Sequence, residues 1–256
     1  METDVEAPGL EPRDAAEQER AGVEVAGVAK AFGDVRALAG VSLRIRGATT
    51  VAVVGPSGCG KTTLLELVCG LQRPDAGTVA APPAALMPQR DALLPWLSAL
   101  DNAALAMRLA GTSRGEARRA AHAHFTHFGL EGFERTRPRE LSGGMRQRVA
   151  FIRTLLAGRE LLCLDEPFGA LDALTRQRMQ TWLANALAEQ PRTVLLVTHD
   201  VEEAVLLADR IVLLSARPGR VVAELDVAIE RPRRRADPAV QALREHALAT
   251  LEDGSR

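Results

Sequence analysis

One segment constrains the fold of this chain more than any other, an apolar, β-branched run that ends in a glycine-rich loop. The run covers residues 49–54, and the loop at residues 55–62 reads G-P-S-G-C-G-K-T, which fits G-x-x-x-x-G-K-[ST]. Glycines let backbone N–H groups converge on phosphate oxygens, since no Cβ stands between them. The helical pattern at residues 62–71 adds the positive end of a helix dipole. The segment therefore predicts a phosphate-binding loop, the P-loop, between a buried strand and a helix.

Apolar runs alternate with helical patterns along most of the remaining chain. Further strands are predicted at residues 161–164, 193–197 and 211–214, and each of the first two runs is followed by polar residues and a helical pattern. Residues 23–25 and 41–45 alternate apolar and polar side chains, as half-buried strands do. Strands that alternate with helices predict an α/β fold with a mostly parallel sheet, whose ligands bind at the carboxyl ends of the strands.

Three segments differ from this pattern. Residues 1–20 are polar and contain two prolines, which predicts a disordered N-terminal arm. Residues 98–157 are rich in Ala, Leu and Arg at helical spacing, which predicts a helical subdomain inserted into the α/β protein. The tail at residues 229–256 is basic and ends in a pattern that predicts a short helix. Its arginines are Arg231, Arg233, Arg234 and Arg235.

Composition excludes some classes of function. The chain has 33 acidic and 32 basic residues and only 3% aromatic residues, which argues against a dedicated nucleic-acid binder. The three cysteines fit no metal-binding spacing, so we expect buried, reduced thiols. No apolar run approaches the roughly 18 residues of a membrane span. We therefore expect a soluble chain that reaches a membrane only by docking onto a partner.

Two carboxylates follow the apolar run at residues 161–164. Asp165 is placed to hold Mg²⁺ together with the hydroxyl of Thr62, and Lys61 is placed to reach the β- and γ-phosphates of a nucleotide. Glu166 is then the candidate general base for the water that attacks the γ-phosphate. A surface Asp-Glu pair is the alternative interpretation. A P-loop alone indicates a nucleotide but does not separate kinases, GTPases, helicases and transporters.

A second predicted anion-binding helix start lies at residues 141–144, with the sequence Leu-Ser-Gly-Gly. Two such sites for one nucleotide are unexpected in one molecule unless the second serves a neighbour. This peptide resembles the signature peptide of ATP-binding-cassette ATPases. The resemblance implies a head-to-tail homodimer in which Ser142, Gly143 and Gly144 of one copy close over the ATP held by the other.

Other motifs of that family follow in the same order, over about residues 22–225. Phe32 resembles the aromatic residue that stacks on adenine, and Gln89 resembles the Q-loop glutamine that contacts Mg²⁺ and senses the permease. Asp172 resembles the D-loop aspartate at the dimer interface, and His199 the switch histidine that contacts the γ-phosphate. A core Phe32, a plain loop amide at Gln89 and a plain loop histidine at position 199 are the alternatives.

The resemblance implies a P-loop NTPase (RecA-like) fold with a mostly parallel sheet, an inserted helical subdomain and an antiparallel β subdomain at the N-terminal side. The ATPase domain would cover residues 21–228, and the cofactors would be ATP and Mg²⁺. The implied catalytic residues are Lys61, Gln89, Glu166 and His199. The implied metal ligands are Thr62, Gln89 and Asp165. The implied nucleotide-binding residues are Phe32, Gly55, Pro56, Ser57, Gly58, Cys59, Gly60, Lys61, Thr62, Thr63, Ser142, Gly143, Gly144 and Asp172.

Two further stretches indicate the kind of cassette. Residues 167–175 resemble bacterial importer subunits, and residues 87–102 are similar to the nitrate, sulfonate and taurine importer group and to ATPases linked to thiamine-precursor pyrimidines. The implied partners are integral membrane permease subunits and, indirectly, a periplasmic or extracellular solute-binding protein, with the chain at the cytoplasmic face of the membrane. Trp96 either contacts the permease or packs in the subdomain core. The alternative function is a soluble cassette ATPase that is not coupled to transport.

Overall fold

A computed structural model describes residues 22–253, so the predicted disordered arm at residues 1–20 lies outside the described residues. A six-stranded sheet has the order β5-β6-β7-β3-β8-β9, and a three-stranded sheet has the order β2-β1-β4. The strands are β1 Val23–Phe32, β2 Val35–Ile45, β3 Thr50–Val54, β4 Ala76–Ala80, β5 Ala84–Met87, β6 Leu161–Asp165, β7 Thr193–Thr198, β8 Arg210–Leu214 and β9 Val221–Asp226. The helices are α1 Lys61–Val68, α2 Ala99–Ala103, α3 Leu105–Leu109, α4 Arg114–Phe125, α5 Gly143–Leu155, α6 Ala173–Glu189, α7 Val201–Leu207 and α8 Pro238–Asp253, with a 3₁₀ turn at Pro138–Glu140.

The six-stranded sheet is parallel except for its edge strand β9. Every residue of β3, β6 and β7 is buried, because helices cover both faces of these strands and the strands are almost entirely apolar. β7 pairs with β6 on one side and with β3 on the other. The carboxyl ends of these three strands therefore meet at one edge of the sheet, where the sequence predicted the ligand site.

The three-stranded sheet is antiparallel and packs its apolar face against α1 and the central strands. Its presence confirms the fold class, including the antiparallel β subdomain at the N-terminal side. The sequence patterns did not reveal β4, β5 or β9, since β4 reads A-G-T-V-A and is mostly exposed, and β9 is half-buried. α1 ends three residues before the predicted boundary because Gly70 adopts φ +70° and the N–H of Leu71 bonds back to the carbonyl of Glu66.

Helices α2 to α5 occupy the middle of the chain, where the helical subdomain was predicted. Four aromatic rings cluster where α5 meets α6, with centroids 4.7 to 6.1 Å apart. Trp182 belongs to this cluster, whereas Trp96 is 66% exposed. The alternative in which Trp96 packs in the subdomain core is therefore wrong. The clustered rings are Phe128, Phe151, Phe168 and Trp182.

The basic tail is packed against the body of the protein, and its helix is longer than predicted. α8 has 16 residues, so the expectation of a short helix is wrong; Val240 and Ala247 on α8 are fully buried. Arg233 donates to the carbonyls of Val205 and Ala208 at the end of α7, where cations complement the helix dipole. Among the described residues, no helix is both long and apolar enough to cross a bilayer.

Candidate functional site

The P-loop connects β3 to α1 at the carboxyl edge of the sheet. Gly60 has φ +103°, and a Cβ there would lie 2.7 Å from the carbonyl oxygen of Ala37, so glycine is required for both conformation and space. The buried Lys61 ammonium donates to the carbonyls of Gly55 and Pro56, at 2.7 and 2.9 Å. The lysine is thus held inside the curve of the loop.

This loop fits the phosphate groups of a nucleotide. It supplies backbone N–H groups, a helix start and a lysine ammonium on one concave surface. Pro56, Ser57 and Gly58 are exposed, as a surface that meets a ligand requires. Cys59 is buried, its Sγ lies 4.0 Å from Lys61 Nζ, and burial raises the pKa of its thiol, so its backbone rather than its sulfur faces the ligand side. Thr63 lies in α1 and is half-buried.

Thr62 and Asp165 form the predicted metal position. The Thr62 hydroxyl donates to Asp165 Oδ2 at 2.8 Å, and Asp165 is only 2% exposed. Burial raises the pKa of the Asp165 carboxyl, and the hydrogen bond from Thr62 opposes that shift. Residues 22–253 contain no cluster of three or more His, Cys, Asp or Glu residues that could hold a metal. Hydroxyl, carboxylate and amide oxygens suit Mg²⁺, which takes its remaining ligands from water and phosphate.

Glu166 is the meeting point of three chain segments. Its Oε2 accepts from Gln89 Nε2 at 3.2 Å, and its Oε1 lies 3.1 Å from His199 Nδ1. Glu166 has φ +46°, a sparsely populated conformation for a non-glycine residue, and its N–H donates to the carbonyl of Val197 at 2.8 Å. The carboxylate is thus fixed between the ends of β5, β6 and β7, and the predicted catalytic residues Gln89, Glu166 and His199 lie together.

The sequence did not reveal the role of Gln147, which forms a hydrogen bond to the backbone of Glu166. Gln147 is buried on α5; its Nε2 donates to the carbonyl of Glu166, and its Oε1 accepts from the N–H of Ala170, both at 2.9 Å. A polar residue at a core-facing position of a helical pattern is the signal that could have found it. Asp172 caps α6 by accepting from the N–H of Thr175 at 3.0 Å, and this bond lowers the pKa of its carboxyl.

Ser142, Gly143 and Gly144 stand apart from this edge. Ser142 caps α5, because its hydroxyl accepts from the N–H of Met145 at 3.2 Å. Ser142 and Gly143 are exposed, while a Cβ at Gly144 would lie 3.2 Å from Leu171 Cδ2. Within residues 22–253, no hydrogen bond or ion pair joins residues 142–144 to the P-loop. The structure does not bring the two predicted anion-binding positions together within one chain.

Phe32 lies at the end of β1 and is 47% exposed, so the alternative of a core residue is wrong. The ammonium of Lys30 lies 5.5 Å from its ring centroid. One face or edge of the ring remains available for stacking on a base. Arg217 was not predicted from the sequence as a site residue. It donates to the carbonyl of Gly58 at 2.9 Å and thereby stabilises the P-loop.

The sequence is similar to a well-defined family and to named relatives. The family described as ABC transporter matches residues 38–169. The aliphatic sulfonates import ATP-binding protein SsuB 1 of Rhodococcus jostii is 43% identical over 90% of this chain and 93% of its own length. The taurine import ATP-binding protein TauB of Chromobacterium violaceum is 45% identical over 84% and 89%. TauB of Escherichia coli is 42% identical over 86% and 93%.

Solved structures give the same result for the fold. A dimeric post-hydrolysis state of the ATP-binding cassette MJ0796, bound to ADP and Pi, superposes with a TM-score of 0.74 at 29% identity. The match covers 81% of this chain and 100% of that one. A further dimeric structure of MJ0796 has a TM-score of 0.75 with the same coverage.

Proposed function

This chain belongs to the ABC transporter family, and from that premise we propose that it is the ATP-hydrolysing subunit of a bacterial importer for organosulfonates. The relatives in the comparison are named for the import of taurine or aliphatic sulfonates, and the group common to those solutes is a sulfonate. The proposal places the chain at the cytoplasmic face of the membrane, bound to permease subunits that receive solute from a separate binding protein. Nitrate and thiamine-precursor pyrimidines are the competing cargoes from the sequence.

The convergence of Gln89, Glu166 and His199 on one point carries the ATPase proposal. Glu166 is positioned to take a proton from the attacking water, and His199 to contact the γ-phosphate on the same side. Lys61 exchanges its two loop carbonyls for the β- and γ-phosphates. Thr62, Asp165 and Gln89 would hold Mg²⁺, which when bound neutralises charge on those phosphates. Phe32 stacks on the adenine.

The second half of each ATP site comes from a second copy. Ser142 and Gly143 are exposed at this helix start, and within residues 22–253 no hydrogen bond or ion pair joins residues 142–144 to the P-loop. A head-to-tail homodimer supplies a ligand for this helix start, as the ATP held on the P-loop of the partner. Asp172 lies at the start of α6 next to the same interface. ATP binding then closes the dimer and hydrolysis reopens it, which drives the permease between two states.

The exposed Trp96 is proposed as an apolar contact for the permease. It follows Gln89 by seven residues, so a contact there reaches the catalytic edge through a short segment. Arg153 fixes that segment to α5 by donating to the carbonyls of Asp91 and Ala92, both at 2.8 Å. Arg146 adds an ion pair to Asp91 at 2.9 Å. Movement at Trp96 is thereby transmitted to both Gln89 and α5, the helix that Ser142 caps.

The test is a gene deletion in the source organism, complemented with the wild-type chain, with Glu166→Gln or with an empty vector. The strains grow on taurine or an alkanesulfonate as sole sulfur source, with sulfate as the control and nitrate as sole nitrogen source in a separate arm. We expect growth to fail only on sulfonates and to return only with the wild-type chain. Cell fractionation then places the tagged chain in the membrane fraction when its permease is present.

The outcomes of this test distinguish the identity of the cargo from the coupling of the ATPase to transport. A defect on nitrate alone, or a requirement for a thiamine precursor alone, would replace the cargo and keep the importer. Normal growth in every arm, with the chain found in the soluble fraction, would instead support a soluble ATPase that is not coupled to transport.

A further inference from the structure

A buried acidic side chain lies directly behind the catalytic edge and is not used in the mechanism above. Glu203 is on α7 and only 4% exposed. Its Oε2 lies 3.4 Å from Gln180 Nε2, and its Oε1 has no hydrogen-bond partner among the described residues. An ionised carboxylate in such a place loses its hydration without gaining enough hydrogen bonds. A buried acidic side chain that lowers stability in this way is expected to have a function.

Glu203 borders a cavity that it shares with the catalytic residues. The cavity has a volume of about 40 Å³ and is lined by Glu166, His199, Arg176 and Glu203, together with Asp200 and neighbouring residues of the adjoining loops. A polar cavity needs roughly 10–15 Å³ to hold a water molecule, so this one has room for water. Glu203, Arg176 and Glu166 thus line one cavity, while the unpartnered Oε1 of Glu203 is itself closed off from water.

Arg176 connects this cavity to the loop that follows Glu166. Its Nε donates to the carbonyl of Phe168 at 3.3 Å, and its Nη2 donates to the carbonyl of Leu171 at 3.2 Å. The N–H of Gly169 in the same loop donates to the carbonyl of Glu166 at 3.1 Å. The position of the guanidinium therefore affects the backbone on which Glu166 is held.

The charges around Glu203 keep its carboxyl neutral. Burial above all, and then the negative charge of Asp200, raise the pKa of Glu203 to about 8, while Arg176 and Gln180 oppose that shift and Glu166 adds to it. His199 also faces the cavity, and Arg235 on the tail donates to Gln180 from the far side. At neutral pH the carboxyl therefore carries a proton.

We propose that Glu203 is a positioning residue for ATP hydrolysis, which in its neutral form leaves Arg176 bonded to the carbonyls of the loop that follows Glu166. The inference rests on the proposed ATPase function. An ionised Glu203 attracts Arg176 away from Phe168 and Leu171, because a charge pair in a buried place is stronger than a hydrogen bond to a carbonyl. The loop then loosens, and Glu166 loses its alignment with the attacking water.

The test measures kcat and KM for ATP from about pH 6 to pH 9.5, with the full chain in its dimeric assembly. The variants are Glu203→Gln, which stays neutral at every pH, Glu203→Ala, which removes the group, and the control Glu189→Gln, at the exposed end of α6. For the wild-type chain and Glu189→Gln we expect kcat to fall as pH rises through about 8. Glu203→Gln keeps the neutral-pH rate and loses this fall.

Glu203→Ala should lower kcat about tenfold or more at neutral pH with KM little changed, since a small displacement of reacting groups has that effect. Identical alkaline declines in the wild-type chain and Glu203→Gln, or no decline in the wild-type chain, would overturn the inference. So would a Glu203→Gln rate as low as that of Glu203→Ala. Circular dichroism at each pH identifies a folding defect in the alanine variant, in which case the glutamine profile decides. A wild-type chain with no ATPase activity would instead contradict the proposed function.

Discussion

The carboxyl edge of the parallel sheet and the start of α5 were both predicted to bind anions, but only at the first do the described residues bring the predicted catalytic side chains together. At the sheet edge, Lys61, Thr62 and Glu166 are held by hydrogen bonds from three separate strands and their loops. At the start of α5, Ser142 and Gly143 are exposed, and within residues 22–253 no hydrogen bond or ion pair joins them to the P-loop. The difference supports the proposal that the sheet edge holds the reacting groups and that the α5 start acts on a second copy.

The largest effect should come from the sheet edge itself. Glu166→Gln removes the proposed base but keeps the size of the side chain, so kcat should fall by about 10² to 10⁴ with the affinity for ATP unchanged. The ATP-bound dimer should accumulate, because hydrolysis no longer opens it. Glu189→Gln, at the exposed end of α6, is the matched control. Near wild-type turnover of Glu166→Gln, measured by phosphate release, would remove Glu166 from the role of base.

Two capping serines, one at the start of α5 and one at the start of α4, allow a structural role to be separated from a functional one. Ser142 caps α5 and Ser113 caps α4, each by accepting from an N–H three residues ahead. Replacing either serine by Ala should cost about 1 kcal/mol of unfolding free energy. Only Ser142→Ala should also lower ATP turnover, measured on the dimeric protein. Equal turnover in the two variants would make Ser142 a cap and nothing more.

Gln147 is the connection between the two regions, since it lies on α5 and bonds to the backbone of Glu166. Gln147→Ala leaves the Ala170 N–H without its partner and removes one of two hydrogen bonds to the Glu166 carbonyl, which should cost about 1–3 kcal/mol of stability. The variant should also lower kcat several-fold while leaving KM for ATP nearly unchanged. Gln177→Ala, on the exposed side of α6, should change neither quantity. A variant that is destabilised but fully active would show that the two regions are not coupled through Gln147.

The sequence predicted the sheet edge well because its chemistry is local. The P-loop, the Asp165-Glu166 pair and His199 each follow an apolar run, and parallel strands bring such positions together. Gln147 and Glu203 were not predicted as site residues, because their roles depend on tertiary contacts that the local sequence does not show. The strand β4 and the length of α8 were missed for a similar reason, since tertiary pairing and not local pattern determines them.

A smaller effect is expected on the thermal stability of the protein at alkaline pH. The folded pKa of Glu203 is about 8, above the usual value of an unfolded glutamate, so the native state binds the extra proton. The stability that this proton provides is complete below the unfolded pKa and is lost as pH rises through about 8. The thermal midpoint of the wild-type chain should therefore fall more steeply than that of Glu203→Gln between neutral and alkaline pH. Parallel curves would show that Glu203 already ionises in the folded protein.

The most direct test of the shared site mixes Lys61→Ala with Ser142→Ala. In a mixed dimer, one ATP site combines both defects, and the other combines an intact P-loop with an intact α5 start. If the site is shared, the mixture should turn over ATP faster than the average of the two variants, up to about a quarter of the wild-type rate, because half of randomly formed dimers are mixed and each has one intact site of two. A mixture no faster than that average would contradict a site built from two copies.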